Sequence, residues 1–357
     1  MGKTRQSNIE LLRLVAIFMV LIVHADFSAL GVPTKEVAQS EPLSSFARFL
    51  FEALSIVCVD VFVLISGYFG IHPSKRGILN LIFQCGFYSC GIYIVMLLLG
   101  HATLGMKNIA DCLLLSGTYW FVKAYILLYL LSPMLNAFIE FSSLKQVRNV
   151  LLTFFVFQTI FGFISDGLAS FENGYSTISF MGLYLLGRYV KINYEKFNFI
   201  PPSKYIIAYC GICVSVAALA MLSTYFTGFQ FQRLYTYTNP LVIIASLSLL
   251  LYFSKLHFTS KIVNWLASSA FAIYLFHTNE NLFLPYFVSE VKDIYNDYQG
   301  LYCLILLIFY LLCVSIVSIL IDKIRMFIWN FILKRYAVSS QKKFSSEVIT
   351  FAVGICL

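Results

Sequence analysis

The sequence predicts an all-α, polytopic integral membrane protein with about ten transmembrane helices and both termini in the cytoplasm. Three observations support this prediction. Of the 357 residues, 60% are hydrophobic and 12% are charged, against roughly 25% charged residues in an average soluble protein. The apolar residues form long runs between residues 9 and 321. The basic residues, which give a net charge of +8, stand in short clusters between these runs, a pattern typical of membrane topology and not of nucleic-acid binding.

Ten apolar runs approach the length of about 20 residues that a helix needs to cross a bilayer. The sixth and ninth runs are short, and their composition alone does not decide whether they span the membrane or lie partly buried among their neighbours. We place the runs at 9–30, 47–71, 78–100, 118–140, 148–167, 177–192, 205–227, 240–254, 263–279 and 300–321.

The distribution of lysine and arginine orients these helices. With the N-terminus inside, 18 of the 25 basic residues fall on the cytoplasmic side, six fall on or near the outer side, and Arg13 lies within the first run. This excess predicts cytoplasmic termini. We expect the first run to be a retained helix and not a cleaved signal peptide, because it contains a charged pair. Residues 1–335 then form one transmembrane domain, and residues 336–357 form a cytoplasmic tail.

Ionisable residues are concentrated in the first run, where each costs a few kcal/mol to insert. Glu10 lies one turn before Arg13 and is expected to pair with it. Arg13 and His24 are eleven residues apart, which places them on one helical face about 16 Å apart along the axis. One interpretation is an arginine that reaches the inner headgroups and a histidine that packs near the outer boundary. The other is a polar passage in which Arg13 holds an anion and His24 moves a proton or an acyl group.

The second run contains Asp60 and is followed on the cytoplasmic side by Lys75 and Arg76. We expect Asp60 to pair with a cation or a tyrosine, and Gly67 to allow a close approach between helices. Lys75 and Arg76 are explained either as an anchor at the inner surface or as ligands for the phosphates of a cytosolic cofactor.

Polar and aromatic residues mark the outer ends of two later runs. Tyr119 and Trp120 begin the fourth run, where an interfacial aromatic belt would place them. Lys123 follows one turn later without an acidic neighbour on its own helix. It therefore requires a partner elsewhere: Asp26 or Glu52 across the bundle, water, or the substrate. His277 ends the ninth run beside Asn279, a pattern that suits either a pocket for a hydroxyl-rich ligand or a simple helix end. No zinc-binding, nucleophile-elbow or phosphate-loop motif is present.

Four sequence blocks resemble the acyltransferase 3 family of integral membrane acyltransferases. The opening helix contains the family's arginine and histidine, here Arg13 and His24. The other blocks read VDVFVLISGYF from Val59, YWFVKAYILLYLLSPMLN from Tyr119, and SSAFAIYLFHTN from Ser268. Their order and spacing extend the resemblance over about residues 8–325.

The resemblance implies transfer of an acyl group, most often acetyl, from cytosolic acyl-CoA to a carbohydrate hydroxyl. It implies that His24 is catalytic with Arg13 as its partner, and that Lys75 and Arg76 bind the donor. Acetyl-CoA would be the acyl donor, and no metal is implied. The acceptor would be a surface carbohydrate, such as capsular polysaccharide or O-antigen, and the protein would lie in the bacterial cytoplasmic (inner) membrane. Further candidates for substrate binding are Glu10, Asp60, Tyr119, Trp120, Lys123 and His277.

Two other functions fit the same residues. A secondary transporter or flippase would use the intramembrane charges and His24 as a proton relay, although the sequence shows no related halves. A non-catalytic partner in a polysaccharide-assembly complex would tolerate replacement of His24.

Overall fold

The computed structural model describes residues 5–115, 119–165 and 170–355, and within them the only regular structure is helical. The first half contains α1 (Ser7–Val23), α2 (Lys35–Ser40), α3 (Pro42–Ser55), α4 (Cys58–Phe69), α5 (Lys75–Leu98), α6 (Met106–Cys112), α7 (Trp120–Phe141) and α8 (Leu144–Gln158). The second half contains α9 (Thr177–Ile192), α10 (Tyr194–Asn198), α11 (Pro202–Thr227), α12 (Pro240–Ser254), α13 (Lys261–Ala267), α14 (Ala270–His277), α15 (Glu280–Leu282), α16 (Ser289–Asp297) and α17 (Gly300–Ile355).

Three stretches have the wider turn of a π-helix and continue α1, α8 and α15. They are His24–Leu30, Thr159–Ile164 and Phe283–Val288. The predicted run 148–167 therefore extends through a π-helical stretch, and its last two residues lie outside the described part of the chain, as does the first residue of the run 118–140.

Eight of the ten predicted runs coincide with helices long and apolar enough to cross a membrane, counted over the described residues. These helices span Ser7–Leu30, Pro42–Phe69, Lys75–Leu98, Trp120–Phe141, Leu144–Ile164, Pro202–Thr227, Gln232–Ser254 and Gly300–Lys334. The all-α membrane architecture is thus confirmed. The total of ten and the cytoplasmic placement of both termini stay predictions.

The two short runs are helical but fall below spanning length. The sixth is α9, with 16 residues, which at 1.5 Å per residue reaches about 24 Å and not the roughly 30 Å of a hydrocarbon core. The ninth is divided into α13 and α14. Most of α14 is buried, as is half of α9, so neighbouring helices rather than lipid surround much of both.

The closest helix packing joins α4 to α9 through two glycines. A Cβ atom on Gly67 would overlap the carbonyl oxygen of Tyr184, and one on Gly187 would overlap the carbonyl oxygen of Leu64. Small residues at such crossings let helix backbones approach each other in membranes. The close approach expected at Gly67 is therefore present, and it fixes α4 beside α9 in the centre of the bundle.

The turn between α4 and α5 is held by side chains of neighbouring helices. Tyr184 accepts a hydrogen bond from the backbone N–H of Ile71 at 3.0 Å, and Asn136 donates to the Ile71 carbonyl at 2.8 Å. Ser74 accepts from the N–H of Gly77 at 3.0 Å and so caps α5. The basic pair that opens α5 is therefore presented by a rigid turn.

Candidate functional site

Helix α1 changes its winding at His24. It is α-helical from Ser7 to Val23, and the seven residues from His24 to Leu30 form a π-helix. Short π-helical stretches are rare and frequently occur at functional sites. The predicted catalytic histidine is therefore the first residue of an unusual backbone segment, which the assumption of one regular helix over 9–30 did not anticipate.

Arg13 and His24 lie on one face of α1, and the residues of this face between them are called the stripe. Ile17, Val20 and His24 line the same cavity, and Arg13 precedes Ile17 by four residues, one helical turn. Positions 13, 17, 20 and 24 share a face at helical spacing. This stripe agrees with the shared face expected from the sequence.

His24 is hydrogen-bonded to His277. The Nδ1 atom of His24 lies 2.8 Å from Nε2 of His277, and Nδ1 of His277 lies 2.6 Å from the carbonyl oxygen of Ile273. His277 is only 2% exposed. The aromatic rings of Phe283 and Phe287 cover this histidine pair, with ring centroids 5.6 Å from His24 and 5.3 Å from His277, respectively.

These contacts assign the protons of the neutral pair. A carbonyl oxygen only accepts, so Nδ1 of His277 carries a proton and donates it to Ile273. Nε2 of a neutral His277 is then an acceptor, and Nδ1 of His24 donates to it. Nε2 of His24 is left with a free lone pair. The arrangement is chemically suited to taking up a proton at that nitrogen, or to attack on a carbonyl carbon.

A cavity lies beside His24. It opens near Ser28 and Tyr175, which are exposed, and half of its lining residues are Phe, Tyr or Trp. Three rings from different parts of the chain meet there: the centroid of Trp120 is 4.4 Å from that of Tyr175, which is 5.1 Å from that of Tyr237. The cavity therefore combines one basic nitrogen with an aromatic wall.

Tyr119 and Trp120 have different roles. Tyr119 is 3% exposed, and its hydroxyl donates to the carbonyl of Leu275 at 2.9 Å and accepts from Asn279 at 2.9 Å. It thus ties the start of α7 to α14, which carries His277. Trp120 lines the cavity. Lys123 is exposed and is not part of the cavity wall.

The inner end of the stripe is cationic. Arg13 pairs with Glu10 at 2.5 Å, as expected, and its side chain is 29% exposed. The guanidinium of Arg188 lies against Gly70, and its buried Nε has no hydrogen-bond partner among the described residues. Lys75 and Arg76 are exposed at the start of α5. All four cations lie at helix positions that the predicted topology places at the cytoplasmic end of the bundle.

Asp60 is fully buried on α4. Neither carboxyl oxygen has a hydrogen-bond partner within the described part of the chain, so the expected pairing with a cation or tyrosine is not present there. Asp26, suggested as a partner for Lys123, instead pairs with Arg48 at 2.6 Å.

Sequence reasoning missed two buried ion pairs. Arg48 binds Asp26 beside the π-helical segment. Asp322 and Arg325 form a pair at 2.6 Å, 0% and 4% exposed at their side chains, and Gln84 of α5 donates to Asp322 at 3.2 Å. The i, i+3 spacing of Asp322 and Arg325 at the end of an apolar run was the available signal for the second pair.

A further ion pair lies outside the membrane-spanning helices. Nζ of Lys107 in α6 is 3.1 Å from a carboxylate oxygen of Glu280, and this hydrogen bond raises the pKa of Lys107. Glu280 follows His277 by three residues, so the pair links α6 to the end of the histidine-bearing segment. Across the described residues, no three His, Cys, Asp or Glu side chains are grouped to hold a metal ion.

Comparison with known proteins gives one match. A family described as an acyltransferase domain matches residues 6–322, which include α1 to α16 and most of the apolar part of α17. No curated protein and no solved structure matches the chain.

Proposed function

The chain belongs to the acyltransferase 3 family, and from this premise we propose that it transfers an acetyl group from cytosolic acetyl-CoA to a hydroxyl of a surface carbohydrate. Capsular polysaccharide and O-antigen are the acceptors that we propose, and the bacterial cytoplasmic membrane is the location. The family makes the protein a membrane acyltransferase. The donor, the acceptor and the residue roles below are parts of the proposal.

One observation carries the proposal: the hydrogen-bond chain from Ile273 through His277 to His24. It leaves Nε2 of His24 as the basic nitrogen beside the cavity. A neutral imidazole nitrogen with a free lone pair can take up a proton, which is the task of a general base. In the proposed reaction His24 is the catalytic residue, and His277 is a positioning residue that fixes its tautomer.

The atoms balance in one addition and one elimination. The acceptor hydroxyl gives its proton to Nε2 of His24 as its oxygen bonds to the thioester carbonyl carbon. The carbon–sulfur bond then breaks, and the departing CoA sulfur takes the proton from His24. The products are an acetyl ester and free CoA, and His24 returns to its neutral form. A variant of this route carries the acetyl group briefly on Nε2 of His24, and rapid-quench labelling of His24 would identify it.

Arg13 is proposed to bind the phosphates of the donor. The eleven residues between Arg13 and His24 span about 16 Å along the helix, a separation that the extended pantetheine arm of CoA bridges between its diphosphate and its sulfur. Ile17 and Val20 provide an apolar path between them. Arg188, Lys75 and Arg76 supply further positive charge for the phosphates at the same end.

The aromatic wall is proposed to bind the acceptor. The apolar face of a sugar ring stacks on aromatic side chains, and Trp120, Tyr175 and Tyr237 offer such surfaces next to His24. The tyrosine hydroxyls add hydrogen-bonding groups. The opening of the cavity near Ser28 gives an extended glycan a way in from the outer side.

The proposal is tested with membrane vesicles that contain the protein and the native glycan. Radiolabelled acetyl-CoA is added, and label in the extracted glycan is counted. We expect label in wild-type vesicles and none with His24→Ala. Mass spectrometry of surface glycan from wild-type and deletion cells should show the loss of an acetyl increment. Glycan labelling by His24→Ala at the wild-type rate would overturn the assignment, and solute movement without consumption of thioester would indicate a transporter.

A further inference from the structure

Arg48 of α3 binds the π-helical segment at two points. Its Nε donates to Oδ1 of Asp26 at 2.7 Å, and its Nη2 lies 2.6 Å from the same oxygen. Nη2 also donates to the carbonyl oxygen of Gly31. Asp26 is the third residue of the segment His24–Leu30, and Gly31 is the residue that follows it. One guanidinium thus binds both the first turn of the segment and its end.

A π-helix is a rare backbone conformation that occurs mostly as short stretches within α-helices. Uncommon backbone conformations persist when the surrounding structure holds them in place. Rewinding the segment as an α-helix would change the rotation of the residues after His24 relative to α1. His24 is the junction residue: its backbone N–H bonds to the carbonyls of α1, and the π-helical segment continues from it. A change in that segment therefore acts on the junction that makes the hydrogen bond to His277.

The ion pair between Arg48 and Asp26 is buried, so water screens it little. The side chains of Arg48 and Asp26 are 13% and 10% exposed, and the ring of Tyr295 lies over the guanidinium carbon of Arg48 at 5.6 Å. Glu52, one turn further along α3, is also buried. Loss of the arginine would leave the carboxylate of Asp26 without its cation in a poorly hydrated site, an arrangement that is strongly unfavourable.

We propose that Arg48 is a positioning residue for acyl transfer. By binding Asp26 and the Gly31 carbonyl, it fixes the π-helical winding that directs Nε2 of His24 into the cavity. This inference rests on the proposed function, since it assigns Arg48 an effect on the rate of the step at His24. Arg48 itself does not line the cavity.

The test compares Arg48→Ala, Arg48→Lys and Asp26→Ala with wild type in the labelled acetyl-CoA assay. We expect Arg48→Ala to lower the maximal rate about 100-fold, the loss that a small misplacement of a reacting group produces, with the KM for acetyl-CoA unchanged. Arg48→Lys should recover part of the rate by keeping the charge. The double variant Arg48→Ala/Asp26→Ala should lose no more than Arg48→Ala alone, because both changes remove the same interaction.

Hydrogen exchange supplies a readout that does not depend on turnover. Amides of residues 24–31 should exchange faster in detergent-purified Arg48→Ala than in wild type, while those of α7 keep their wild-type rates. Lys292→Ala removes an exposed cation of α16 and is the matched control, expected to behave as wild type in both measurements.

The outcomes separate this inference from the proposed function. If wild type transfers acetyl and His24→Ala does not, wild-type rates and exchange in Arg48→Ala would overturn the positioning role alone. If Arg48→Ala raises the KM for acetyl-CoA and leaves the maximal rate intact, Arg48 belongs to donor binding and the inference is wrong. If wild type transfers no acetyl group, the proposed function fails, and with it the rate effect assigned to Arg48.

Discussion

Nδ1 of His24 lies 2.8 Å from Nε2 of His277, although 253 residues separate them in the chain. The contact joins the C-terminal end of α1 to the end of α14, and Tyr119 also binds α14 through the Leu275 carbonyl. Two of the four sequence blocks that carry the family resemblance therefore meet at one hydrogen bond, and a third supplies the tyrosine that supports it.

Replacing His277 should slow the reaction without weakening donor binding. His277→Ala removes the acceptor that selects the Nδ1–H tautomer of His24, so we expect the maximal rate to fall about 100-fold. The KM for acetyl-CoA should stay near its wild-type value. His277→Gln, whose amide oxygen offers an acceptor, should retain more activity than His277→Ala. Equal rates for wild type and His277→Ala would contradict the positioning role.

Replacing His24 should abolish transfer. A general base contributes roughly 10²- to 10⁴-fold to a rate, so His24→Ala and His24→Gln should both fall at least about 100-fold in the vesicle assay. His257 is exposed in the loop before α13, and His257→Ala is the control, with an expected wild-type rate. Full activity in His24→Gln would argue against proton transfer at this position.

Arg13 should affect the donor. A hydrogen bond to a charged group contributes about 1.5–3 kcal/mol, so Arg13→Ala should raise the KM for acetyl-CoA about tenfold or more. Arg13→Lys should show a smaller increase, because lysine keeps the charge but loses the planar fork. The control is Arg148→Ala, an exposed residue of α8. An unchanged KM in Arg13→Ala would remove this residue from the donor site.

The aromatic wall should affect the acceptor. Aromatic contacts contribute about 0.5–1.5 kcal/mol each, so Trp120→Ala should raise the KM for unacetylated glycan, purified from deletion cells, several-fold. Trp120→Phe should lie between this variant and wild type. The KM for acetyl-CoA is the internal control and should not change. A donor effect without an acceptor effect would place the acetyl group, and not the sugar, against Trp120.

The crossing of α4 and α9 should tolerate no side chain at Gly67. A methyl group there would overlap the Tyr184 backbone, and overpacking typically costs about 1–3 kcal/mol. Gly67→Ala should therefore lower the melting temperature of the detergent-purified protein. The melting temperature is measured by size-exclusion chromatography of samples after heating. Gly86 and Gly211 have open space at the Cβ position, so their alanine variants should melt as wild type does.

The sequence was sufficient to predict most of the helices, because the length and apolarity of a run are local properties. It also placed Glu10 beside Arg13 and set Arg13 and His24 on one face, because both follow from helical periodicity. The short runs 177–192 and 263–279 were ambiguous for a physical reason: residues in the centre of a bundle face protein, so their length is not set by the thickness of the bilayer.

Contacts between distant segments were beyond a single sequence. How the helices pack decides the hydrogen bond between His24 and His277. It also decides the hydrogen bonds from Arg48 to Asp26 and Gly31. The sequence carried one local signal of the π-helix. The polar residues His24, Asp26 and Ser28 follow each other at every second position near the end of an apolar run, a spacing that does not fit the 3.6-residue period of an α-helix. The pairing expected for Asp60 was wrong, since charge alone does not select among neighbouring helices.

The free Nε2 of His24 makes the proposed reaction electroneutral across the membrane. Nε2 of His24 both takes the proton from the acceptor and returns it to the sulfur of CoA, so an acetyl group leaves the cytosol as one proton enters it, and no net charge crosses the bilayer. Moving one elementary charge through 100 mV changes the free energy by about 2.3 kcal/mol, and an electroneutral exchange avoids this dependence. The thioester is then the only energy source, and collapsing the membrane potential should leave the rate of transfer unchanged.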